Sequence, residues 1–210
     1  MYISITQIDE HLKKYNITIT GILHIGAHDC EEYGSYVNYG IDPNHIIWVD
    51  GLQDKVDNAK NRGIPNVYKA IISDKDNDTV TFYRTNNDQS SSIFEMGTHT
   101  VHHPEVFVTN SYTDTTLTID TFFKNNNFDS HIYNFWNFDI QGAELNALKG
   151  AIESLKNVDV LYLEVSFEEI YKNGALCEEI DTFLKDYNFV RILTYMTPYN
   201  WGDAVYIKQK

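Results

Sequence analysis

The chain has 210 residues, 42% of them hydrophobic and 22% charged, enough for one α/β domain with its own core and too few for a second. Its 30 acidic and 16 basic side chains leave a net charge of −14. A chain of that sign repels a phosphate backbone, whose nonspecific partners bind through Lys and Arg, so DNA, rRNA and tRNA are not expected partners.

Ser4 to Tyr15 predicts an amphipathic helix, with Ile5, Ile8 and Leu12 on one face. Gly21 to Ile25 is strand one, and Glu31 to Tyr39 fits a helix closed by Gly40. His45 to Asp50, "HIIWVD", is a continuous apolar run ending in a carboxylate, as suits a parallel strand buried on both faces. Leu52 to Asn61 is helical, with Arg62-Gly63 as its stop, and Val67 to Ile72 is the third strand. Thr79 to Arg84 alternates and is β-branched, so it reads as an added strand. The stretch from Thr85 to Thr115 is long, polar and weakly periodic, and its aromatics and histidines predict an ordered, functional loop.

Leu117 to Asn125 begins with strand character and becomes helix. Tyr133 to Asp139 is a strand of large residues, Ala143 to Leu155 a helix, Val158 to Val165 a buried strand and Ala175 to Tyr187 a helix. Phe189 to Tyr195 and Ala204 to Lys208 are joined by a link too short for a crossover helix, so they should pair antiparallel. Repeated β-then-α units closed by such a hairpin predict an α/β, Rossmann-like, doubly wound sheet, mostly parallel, in a single domain over 1–210. No apolar run approaches the roughly 18 residues of a membrane span. The first residues also lack the basic-then-apolar order of a signal peptide. Cys30 and Cys177 sit at no metal or redox spacing and read as reduced thiols of a cytoplasmic protein.

Ligands of such sheets sit beyond the carboxyl ends of the strands. Here those ends carry Gly26-Ala27-His28, Asp50, Ala70-Ile71, Asp139-Ile140-Gln141 and Glu164. A dinucleotide turn needs G-x-G-x-x-G, but Gly26 is followed by Ala27-His28-Asp29-Cys30, which disfavours NAD. Asp50 lies 24 residues after Gly26, close to the spacing at which an acid accepts from ribose hydroxyls. One glycine and one acid suit a cationic nucleoside without phosphate, and S-adenosylmethionine is such a molecule.

The segments "HIGAHDCEEYGSY", "IIWVDG", "KAIISD", "DQSSSIFEMGTHTVHHPEV", "TTLTIDTFF", "NFDIQGAELNALKGA" and "LYLEV" resemble the FkbM family of S-adenosylmethionine-dependent methyltransferases, from about Gly21 to Lys208. The most specific is "DIQGAELNALKGA", which is similar to the family's D-x-x-G-A-E-x-x-x-L-x-G-A pattern. Three positions depart from it: His24 stands where an acid is common, Cys30 where a glycine is, and Asp50 where Glu is more usual. The resemblance implies the class I methyltransferase fold, a seven-strand sheet whose last hairpin holds the reversed strand. It implies methyl transfer, usually to oxygen, on sugars or natural products, and a sugar, glycan or other polyhydroxylated small molecule is the expected acceptor. It also implies that Gly26, Ala27 and His28 line the methionine part of the cofactor, Asp50 the ribose, and Ala70 and Ile71 the adenine. Asp139 would stand near the methyl group and the acceptor.

Gln141, Glu144, Glu164 and His99 are the candidate acceptor contacts; Glu144, in the first turn of its helix, equally suits a purely structural role there. His99 and His103 have helical spacing for a metal, but Pro104 biases His103 away from helix and no Cys is near, so no metal is expected. Methyl transfer needs the acceptor about 3 Å from the methyl carbon, in line with sulfur, and a base for the hydroxyl proton. Asp139 and His103 are the candidate catalytic residues. The alternative is a catalytically inactive binding or scaffold protein of the same fold.

Overall fold

Strands that are apolar on both faces need cover on both sides, and the chain provides it. A computed structural model describes residues 1–209. The elements run α1 (Ile5–Leu12), β1 (Ile22–Ile25), α2 (Tyr33–Tyr39), β2 (Ile46–Asp50), α3 (Gln53–Asn61), β3 (Val67–Lys69), β4 (Ile71–Ile72), β5 (Thr79–Thr85) and α4 (His99–His102). They continue with β6 (Val108–Leu117), α5 (Ile119–Asn125), β7 (Phe135–Phe138), α6 (Glu144–Lys149), β8 (Val160–Ser166), α7 (Cys177–Lys185), β9 (Phe189–Met196) and β10 (Trp201–Lys208). The main sheet has the order β3-β2-β1-β7-β8-β10-β9, parallel except for β10, which pairs antiparallel with both neighbours. This is the expected seven-strand sheet with its reversed strand.

Alternate residues of the central strands feed two separate cores. Leu23, Ile47, Trp136 and Leu161 pack under α5, α6 and α7. Ile22, Trp48, Phe135 and Tyr162 pack under α1, α2 and α3. α1 presents Ile5, Ile8 and Leu12 to that second core and starts at Ser4, whose hydroxyl accepts from Gln7 N in a capping box. Among the described residues no helix is long and apolar enough to cross a membrane.

Three expectations need correction. The third strand, expected over Val67 to Ile72, divides after Lys69: β3 stays in the main sheet, while β4 joins β6 and β5 in a small second sheet. The expected loop from Thr85 to Thr115 ends at Phe107, and from Val108 the chain is strand β6, antiparallel to β5. That strand, "VTNSYTDTTL", is largely exposed on both faces, so no apolar alternation marks it. The helix expected over Ala143 to Leu155 is also short, ending at Lys149 before Gly150; a β-carbon there would lie 2.2 Å from Ser73 O.

The carboxyl ends of β1 and β7 separate at Gly26. Its φ is +84°, and an added β-carbon would lie 1.7 Å from the carbonyl oxygen of Asp139. Val49 O accepts from both Gly26 N (2.9 Å) and Ala27 N (3.1 Å), so this turn is tied to β2 as well. Gly26→Ala is therefore expected to destabilise the protein by roughly 2–5 kcal/mol, the combined cost of a left-handed non-glycine residue and a buried overlap. Urea unfolding measures this, and an unchanged midpoint would contradict it.

Candidate functional site

Two adjoining cavities open over the carboxyl ends of the strands, one of about 460 Å³ and one of about 60 Å³. Gly26, His28, Gln89 and Asp139 line both. The smaller has apolar walls from Leu52, Ile71 and Phe82, with Ala70 beside them and Asp50 as one of its carboxylates. Asp50 is buried at the end of β2 and accepts from His28 N (2.7 Å) and Leu52 N (2.8 Å). Burial raises its pKa against the pull of those two N–H groups. Each oxygen keeps lone-pair capacity toward the cavity.

Of the three turn residues expected on the methionine side, Gly26 and His28 line cavity and Ala27 does not: it is buried in the core below α1 and α2. His28 sits at φ 43°, and its Nδ1 lies 2.7 Å from Glu31 Oε1. Burial works against its charge, yet Glu31 more than offsets this and the pKa is raised. Its Nε2 is buried without a partner. His28, Asp29 and Glu31 are close enough to share a cation, but Lys55 Nζ already sits 3.1 Å from Asp29, and the trio is satisfied by ion pairs.

The larger cavity is floored by side chains from three strand ends. Gln141, in a left-handed turn at φ 56°, donates through Nε2 to Asp139 Oδ1 (2.5 Å) and Glu164 Oε2 (2.8 Å). Its Oε1 accepts from the Tyr171 hydroxyl (2.5 Å). Asp203 of β10 accepts from the Tyr162 hydroxyl and from Tyr2 N (2.7 Å). Asp139 is exposed at the cavity wall, although protein packs closely around its carboxyl group. That crowding, with Asp203 adding repulsion, moves its carboxyl up to about 6 even though Gln141 favours the charged form. Burial and then Asp139 push Glu164 well above the usual carboxylate range.

Glu144 lines neither cavity. It is 2% exposed and turns back to accept from Ile140 N (2.9 Å) and Gly142 N (3.3 Å), closing the turn that carries Gln141. The geometry therefore gives it the structural role at the helix start rather than an acceptor contact.

The loop between β5 and β6 walls the cavity. Ser92 Oγ donates to Gln141 O (2.8 Å), and Gly97 N to Ile170 O (2.8 Å). His99 and His103 both line the cavity, with ring centres 5.2 Å apart. His99 is buried, its pKa lowered by burial, and its Nδ1 has no partner. His103 Nδ1 lies 3.4 Å from Glu105. His102 instead pairs with Glu168.

The two departures at the first strand are both accommodated. His24 packs against Trp48 in a tilted pair with ring centres 5.0 Å apart, with Tyr36 and Asn137 near its Nδ1, and burial takes its pKa down to about 4, so it is neutral. Cys30 is buried, its thiol pushed up to about 12 by that burial, and offers no nucleophile. Sequence reasoning missed Phe82, Tyr171 and Asp203. Only Phe82 had a usable signal, its place in the alternating "TVTFYR".

Among curated proteins none matches the sequence. In topology the chain is similar to magnesium protoporphyrin IX methyltransferase from Synechocystis PCC 6803 with bound SAM: 9% identity, TM-score 0.48, covering 97% of this chain and 77% of that one. It is also similar to M. capricolum TrmK in complex with S-adenosyl-homocysteine, at 10% identity and TM-score 0.46, covering 96% and 67%. At such scores these likenesses bear on no particular of this chain. The model of the methyltransferase FkbM domain, by contrast, matches residues 24–191, from His24 on β1 to Arg191 on β9, and the chain belongs to that family of S-adenosylmethionine-dependent methyltransferases.

Proposed function

We propose that the chain is an O-methyltransferase of the cytoplasm, acting on a hydroxyl of a sugar, glycan or related polyhydroxylated small molecule. The observation that carries this reading is Asp139, a carboxylate of raised pKa in the wall common to both cavities. The larger cavity around it is polar and rich in hydrogen-bonding groups, which suits a hydroxylated acceptor. Two buried, unpaired cysteines support a reducing compartment.

The residues present fit the cofactor. Asp50 at the end of β2 suits ribose hydroxyls, and the slot between Leu52, Ile71 and Phe82 suits a flat apolar ring. The unpartnered His28 Nε2 and the nearby acids suit a zwitterionic, cationic amino-acid end. When bound, S-adenosylmethionine supplies an electrophilic methyl group on a sulfonium.

Asp139 then has two tasks. It holds the acceptor hydroxyl by accepting its hydrogen bond, and it takes that proton as oxygen becomes the nucleophile. Gln141 fixes the carboxylate through its Nε2 and is itself held by Tyr171, so the base has one orientation. His99, His103 and Gln89 complete the wall on the acceptor side and exclude water.

Asp50→Ala is expected to weaken binding of S-adenosylmethionine by roughly 1.5–3 kcal/mol, the value of hydrogen bonds to a charged acceptor. Calorimetry reads this directly, and an unchanged dissociation constant would make Asp50 a turn acid only. The same titration separates the enzyme from an inert scaffold, which need not bind the cofactor.

The base must be ionised. With its carboxyl raised to about 6, kcat/KM should rise with pH through that value and level off above it. Asp139→Asn should remove this rise and lower transfer by about 10²–10⁴, with cofactor affinity changed only a few-fold. If His103→Gln showed that loss instead, the base would be His103. Wild-type rates in both variants would leave positioning alone to carry the reaction.

A further inference from the structure

The larger cavity has a one-sided charge. Six carboxylates line it, those of Glu31, Glu32, Glu105, Asp139, Glu164 and Asp203, and among the described residues no Lys or Arg side chain does. The nearest candidates are engaged elsewhere: Lys55 pairs with Asp29 and Asp88, and Lys172 with Glu95. The α-ammonium of Met1, which also lines the wall, lies 3.3 Å from Glu32. A diphosphate needs bidentate Arg, Lys or a row of free backbone amides. This cavity has none of them to give.

The unpartnered ring nitrogens of its wall are Nε2 of His28, whose Nδ1 is already held by Glu31, and Nδ1 of His99. His99 is 7% exposed, lines the cavity, and leaves Nδ1 unpartnered, free to exchange a hydrogen bond with a hydroxyl. At the mouth, Tyr2 and Trp201 line the cavity with ring centres 5.7 Å apart, and Tyr195 stacks on Tyr2 at 4.9 Å. Tyr2 and Tyr195 remain 51% and 45% exposed. Exposed aromatic rings continuous with a polar cavity offer flat apolar area beside hydrogen-bonding groups. The apolar face of a sugar ring next to the one being methylated fits such a surface.

We infer that the acceptor is a glycan residue free of phosphate and carboxylate, carried on a longer oligosaccharide that runs out over Tyr2, Trp201 and Tyr195, and not a sugar attached to a nucleotide. This rests on the sugar O-methyltransferase reading and narrows it. Like charge facing like charge is the repulsive element that rejects a nucleotide sugar.

The test uses the full chain, S-adenosylmethionine with a labelled methyl group, and two acceptor panels: short neutral oligosaccharides, and nucleoside diphosphate conjugates of the same sugars. The expected result is a kcat/KM at least about 100-fold higher for the best oligosaccharide than for its nucleotide counterpart, about 2.7 kcal/mol. Tyr195→Ala, at an exposed position, should raise KM for the oligosaccharide about tenfold and move KM for the matching methyl monosaccharide little, a split that a fold defect would not give. Glu105→Lys should narrow the gap between the two panels. Equal or preferred transfer to nucleotide sugars would overturn this inference and leave sugar O-methylation standing. Transfer only to amines or other non-carbohydrate acceptors would overturn both.

Discussion

The site depends on how closely two backbones approach. Gly26 and Asp139 end adjacent parallel strands, and the space between them has no room for a β-carbon. Asp139 N still donates to Ile25 O (3.0 Å), so the ladder runs one residue past the strands before the chains diverge. That contact puts the Asp139 side chain on the cavity floor and turns the peptide after Gly26 toward Asp50. The two cavities meet where they do because this seam is narrow.

The second constraint is electrostatic. A buried carboxylate crowded by others gains from a cation or a shared proton. Here the acids stand at the ends of β7, β8 and β10, while the first strand carries the neutral His24 in their place. A cationic ligand held between them would relieve their repulsion without a metal or a basic side chain in the wall.

The α/β order, the reversed strand and the set of strand ends were legible from apolar runs, because buried parallel strands carry little else. Gly26, Asp50 and Asp139 stood out for the same reason: each interrupts an apolar run where the chain leaves the sheet. Ala27 was placed on the ligand side by its neighbours in sequence, yet successive residues of a turn point in different directions and it faces the core. The dual reading of Glu144 could not be settled from sequence, since its partners, the N–H groups of Ile140 and Gly142, exist only once the turn closes. Strand β6 was hidden because it is exposed on both faces, and Asp203 and Tyr171 because each reaches the site from an element distant in the chain.

The position of β10 has a consequence for how the molecule assembles. It follows β9 in sequence but lies between β8 and β9 in the sheet, antiparallel to both. Strand β9 has no sheet partner until β10 arrives, so the edge of the sheet cannot grow in the order of synthesis. Such non-local pairing makes folding slow and leaves the flank of β8 open meanwhile. The same strand brings Asp203 and Trp201 to the cavity, so this wall of the site exists only once β10 has inserted beside β8.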